Sequence, residues 1–114
     1  MLTVSEEQMS ELRQRALAAS PREICGFMLG RAGRVEQLYA ARNAHPDPIR
    51  GYLITPEESL SALRRARNLD LEILGVYHSH PEGPPNLSAV DRQQAHGGWH
   101  YLVVGRDQER CWEV

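Results

Sequence analysis

The chain reads as an α/β protein of mixed α+β character, a single mixed β-sheet flanked by helices. Three observations predict this. Two stretches, residues 5–19 and 55–68, space their apolar residues at helical intervals. Short apolar runs bounded by turn signals lie between and after them. No repeat, low-complexity segment or linker separates the two kinds of element, so one domain covering residues 1–114 is expected. That length buries a core without disulfide staples.

The first helix, residues 5–19, carries Met9, Leu12, Ala16 and Ala19 on one face with charge between them. Thr3 and Glu6 are placed to form a capping box at its start, and Ser20-Pro21 ends it. Glu-Ile-Cys-Gly-Phe-Met-Leu-Gly, residues 23–30, reads as a strand, and Val35 to Ala41 as a second after the turn at Gly30–Gly33. Asn43 to Pro48 is a loop, and Tyr52-Leu53-Ile54 a short strand. Thr55-Pro56-Glu57-Glu58 starts the second helix: an N-cap threonine, proline in the first turn, and glutamate three residues on. That helix is expected to reach about Asn68 with Leu60 and Leu63 facing inward. Leu71 to His78 is the clearest strand. A stiff loop from Pro81 to Leu87 follows, then a short helix over 88–95, a strand over 99–104 and an edge strand over 111–114.

Composition excludes several function classes. The formal net charge is −2, without the basic excess of a nucleic-acid binder. All thirteen basic residues are arginine, so no lysine side chain can be acylated by a small group or by a protein tag. Two cysteines, Cys25 and Cys111, lack the CxxC spacing of a zinc knuckle; they read as reduced thiols, Cys25 buried, in a cytoplasmic protein. The charged first twenty residues are no signal peptide, and no apolar run is long enough to span a membrane. Arg64, Arg65 and Arg67 read as a solvated helix face, and Trp99 and Trp112 as packing residues.

The chemistry concentrates in His78-Ser79-His80-Pro81 and Ser88-Ala89-Val90-Asp91. Residues i and i+2 of a strand face one side, so His78 and His80 can share one metal ion. The seven residues after His80 hold three prolines and a glycine, a stiff return that brings Asp91 back on the next helix. Two imidazoles and a carboxylate suit zinc and leave a fourth position for water, which becomes acidic enough there to attack near neutral pH. His96 and His100 are rival third ligands on spacing alone. Ser88 with Asp91 also fits a capping box. The HxE and PCxxC pattern of the zinc nucleoside deaminases is absent.

His78-Ser79-His80, the seven-residue spacer and Ser88-x-x-Asp91, with Glu23 opening the upstream strand, resemble the signature of the JAMM (MPN+) metalloproteases. The resemblance covers roughly residues 5–105 and includes Asn43 through Tyr52. It implies the JAMM/MPN fold, which is cytidine-deaminase-like, with one zinc held by His78, His80 and Asp91. It implies Glu23 as general base and Ser88 as hydrogen-bond donor to the oxyanion. Glu82 is the local rival for the base. The compact chain is similar to the minimal prokaryotic members. This implies hydrolysis of an amide bond at the C-terminal glycine of a ubiquitin-like or sulfur-carrier protein ending in Gly-Gly. A homodimer, a non-catalytic MPN-type binding scaffold and a DNA-repair relative are the other implied possibilities.

Overall fold

The computed structural model describes residues 1–83 and 97–106 in full and the backbone of 109–113. Elements follow in the order α1 (Glu6–Ala19), β1 (Cys25–Arg31), β2 (Arg34–Ala41), α2 (Pro56–Asn68), β3 (Glu72–His80), β4 (His100–Gly105) and β5 (Glu109–Glu113). The expected helix over 88–95 lies outside the described residues.

The strands form one sheet in the order β2-β1-β3-β4-β5. β1 pairs antiparallel with both β2 and β3, β3 pairs parallel with β4, and β4 antiparallel with β5. The sheet is therefore mixed, as expected, with a crossover between β3 and β4. β1 and β2 join through Ala32-Gly33, whose φ values of 53° and 75° make the two-residue turn of a tight hairpin.

α1 starts one residue later than its spacing predicts, and its cap differs. Ser5 is the N-cap and shares a reciprocal capping box with Gln8, not Thr3 with Glu6. Thr3 instead bridges to Arg34 and covers the start of the β2 edge. Met9, Leu12 and Ala16 pack onto Met28, Tyr77, Leu102 and Val104 on one face of the sheet.

The second helix begins and ends as expected, with Thr55 accepting a hydrogen bond from the Glu58 N–H. Its inward face is different. Ala62 and Ala66 are fully buried against Phe27, Leu29, Val76 and Val103, whereas Leu60 and Leu63 are 47% and 37% exposed. Small residues let the helix axis approach the sheet closely, which turns the larger leucines outward. Residues 52–54 also depart from expectation: they form no strand. Their backbone groups are used locally, Ala44 N–H donating to Leu53 O (2.9 Å) and Leu53 N–H to the Asn43 side chain (3.1 Å). Among the described residues, no helix is long and apolar enough to cross a membrane.

Candidate metal centre

The site forms where β1 begins and β3 ends. Cys25 lies opposite His78, and the pairing continues past the last strand residue: Ser79 N–H donates to Ile24 O (3.1 Å) and Ile24 N–H to Ser79 Oγ (2.9 Å). One further step along this antiparallel register brings Glu23 level with His80. In a strand every second side chain shares a face. Glu23, Cys25 and Phe27 thus project from the α2 side of the sheet beside Val76, His78 and His80.

The result is a compact donor set. One ligand atom each from Glu23, His78 and His80 lie within 4.8 Å of one another. The two Nε2 atoms are 3.1 Å apart, and the rings meet edge-on with centroids separated by 4.9 Å. Two nitrogens bound to one tetrahedral ion at ~2.0–2.1 Å are spaced by roughly 3.3 Å. The histidines therefore fit a shared ion by spacing as well as by chemistry. His78 is fully buried, Glu23 is 8% exposed and His80 is half-buried, so the site has a closed floor and one open side. On that side a cavity of about 280 Å³ borders Glu23 and His80.

Several neighbours that spacing alone does not single out hold this arrangement. The Tyr52 ring stacks on His78 at 4.4 Å and 25°. Ser79 is fully buried on the opposite face and substitutes its hydroxyl for a missing ladder acceptor, which fixes the strand end carrying both histidines. Asn43 ties down the loop over the site. Its amide donates to Glu23 O (2.9 Å) and Gly51 O (3.0 Å), and its carbonyl accepts from His45 N–H (3.0 Å) and Leu53 N–H. Glu23 N–H in turn donates to Pro48 O at 2.8 Å. The legible signal for Asn43 was an amide side chain opening a proline-rich loop, the residue type that satisfies several backbone groups at once.

Cys25 shares the Glu23 face, as regular strand alternation requires, and is a buried free thiol. Burial first, then the Glu58 and Glu23 carboxylates, push it up to about 12. It is a packed, protonated side chain and no nucleophile. His100 is not a third ligand: it pairs with Gly75 at the far end of β4, away from the register of His78 and His80. His45 takes the Asp47 N–H on Nδ1 at 2.8 Å and orders its own turn. Glu82 is exposed at the cavity rim, outside the Glu23-His78-His80 set. Ser88, Asp91 and His96 lie outside the described residues.

The chain is 34% identical to a probable TtuB-protein conjugate cleaving protease of Thermus thermophilus, over 97% of this chain and 74% of that protein. It is 34% identical to a desampylase of Haloferax volcanii, over 87% of this chain and 73% of the other. The solution structure of protein DSY2949 from Desulfitobacterium hafniense superposes with a TM-score of 0.83 at 31% identity, covering 97% of this chain and 81% of that one. Residues 5–114 match the family described as prokaryotic homologs of the JAB domain, and the chain belongs to that family.

Proposed function

We propose that this protein is a zinc-dependent hydrolase that cleaves the amide bond at the C-terminal glycine of a ubiquitin-like or sulfur-carrier protein. The observation that carries the reading is the convergence of Glu23 with His78 and His80, from strands far apart in sequence. The names of the relatives, a conjugate-cleaving protease and a desampylase, support the substrate class.

His78, His80 and Asp91 would hold the ion, which when bound supplies a Lewis acid and acidifies water. Glu23 takes a proton from the attacking water, whose oxygen adds to the carbonyl carbon. The same carboxyl then returns the proton to the nitrogen as the C–N bond breaks, releasing a free amine and a glycine carboxylate. Ser88 donates a hydrogen bond to the oxygen that gains charge, a contribution worth about 10²–10³ in rate. Asn43 and Ser79 keep Glu23 and the histidines from drifting. The chain's acidic balance argues against a nucleic-acid substrate. The same reading places the enzyme in the cytoplasm, where reduced thiols such as Cys25 persist.

Metal content by mass spectrometry, beside cleavage of a carrier protein extended past Gly-Gly, tests this. Wild type should carry about one zinc per chain, and His78→Ala and Asp91→Ala should lose both metal and activity. Glu23→Gln should keep the metal and lose activity. Metal lost in Glu23→Gln but retained in Asp91→Ala would make Glu23 the carboxylate ligand. A wild type that takes up no metal on reconstitution would leave a binding scaffold as the better account.

A further inference from the structure

We propose that Tyr52 is a positioning residue for the metal and that Asn43 acts through it. The loop from Asn43 to Leu53 is then a latch, and its closure sets how tightly the ion is held. This rests on the metal centre proposed above and not on the identity of the substrate.

His78 is fully buried near the end of β3, with Cys25 and Val103 beside it in the sheet. Those neighbours flank the ring. The Tyr52 ring lies across its face, with centroids 4.4 Å apart and planes 25° from parallel. A histidine turns about two side-chain bonds, and a flat contact on one face restricts both. The stack therefore helps to hold the His78 Nε2 at 3.1 Å from that of His80, the spacing that a shared ion needs.

Stacking also distinguishes the loaded site from the empty one. A divalent ion on an imidazole draws electron density from the ring. An electron-poor ring is attracted more strongly to the electron-rich face of a phenol. The contact is thus stronger with metal bound, and only such a difference can couple two events.

One side chain holds Tyr52 from both directions. The Asn43 amide donates to Gly51 O at 3.0 Å, and its carbonyl accepts from Leu53 N–H at 3.1 Å. These are the residues immediately before and after Tyr52. Leu53 O closes the turn by accepting from Ala44 N–H at 2.9 Å. Asn43 lies outside the Glu23-His78-His80 donor set and bonds to Glu23 only at its backbone carbonyl. Its route to His78 is the loop and the ring that the loop carries.

Zinc affinity, measured by competition with a chromophoric chelator, tests this without reference to activity. Tyr52→Leu should weaken zinc binding about ten- to a hundredfold, the usual effect of removing a partner that orients a ligating histidine, and Tyr52→Phe should stay within about threefold of wild type. Asn43→Ala should weaken it about tenfold, and the double variant should be no weaker than Tyr52→Leu alone, because the two act in series. Val35→Ala is a core truncation at the far end of the sheet; it should lose stability and keep its affinity. Coupling is reciprocal, so zinc should slow hydrogen exchange at the Leu53 and Ala44 amides of wild type about tenfold more than at the Val35 amide, which donates to Thr3 O. That measurement decides the matter if Tyr52→Leu does not fold. Unchanged affinity in Tyr52→Leu, an equal loss in Tyr52→Phe or Val35→Ala, additive losses in the double variant, or exchange at Leu53 that zinc does not slow overturns the inference and leaves the metal centre standing. A wild type that binds no zinc overturns both.

Discussion

Asn43 shows how much one side chain can organise. It satisfies backbone groups at Glu23, His45, Gly51 and Leu53. Asn43→Ala leaves these without their partner, and chemical denaturation should show a loss of about 2–4 kcal/mol. Asn43→Asp retains the acceptor and should cost less. Cys25 gives a second outcome at this scale. Being buried and raised from 9.0 to about 12, it holds its proton throughout the neutral range. Iodoacetamide at pH 8 should leave Cys25 unmodified in the native protein and alkylate it in denaturant, as read by peptide mass mapping. A fast native reaction would mean that the site opens. His78 and His80 were legible because their spacing is local. Glu23 was legible only through the family resemblance, because its approach depends on a pairing between residues 55 positions apart at Ile24 and Ser79, which no short-range pattern encodes.

The hairpin between β1 and β2 turns on Ala32 and Gly33, both in the left-handed region. Glycine accepts that conformation, but alanine is strained by its Cβ. Ala32→Asn supplies the residue such turns favour and should raise stability by about 0.5–1 kcal/mol in urea titration. α2 allows the opposite experiment. Ala66 is fully buried, and Ala66→Leu should destabilise by about 1–3 kcal/mol through overpacking, while Leu60→Glu on the outer face should change stability by less than about 0.5 kcal/mol. The start and end of this helix were readable from Thr55, Pro56 and Asn68. Its orientation was not, since Leu60 with Leu63 and Ala62 with Ala66 are both helically spaced pairs. Only the closeness of the sheet selects the smaller one. Tyr52 to Ile54 misled for a related reason: β-propensity describes a surface that fits a sheet, and this segment found its partners in the loop before it.

Across the whole molecule, the donor set belongs to no single element. Glu23 precedes β1, and the histidines close β3. Metal binds only where these segments are already packed, so binding and folding are linked. At a free zinc concentration a hundredfold above Kd, the linkage is worth about 2.7 kcal/mol, and the melting temperature should rise by on the order of 10 °C. The rise should vanish in His78→Ala and with a chelator; an unchanged melting curve in wild type would place the metal away from the fold. The central position of β1 has one more consequence. During synthesis β1 and β2 emerge together and close their short hairpin at once, but the other edge of β1 stays open until β3 has been made. Until then Glu23 has no histidine beside it. The unfinished protein carries an unpaired strand edge, open to stray pairing, and no hydrolytic centre, so it is prone to aggregate before it is able to cut.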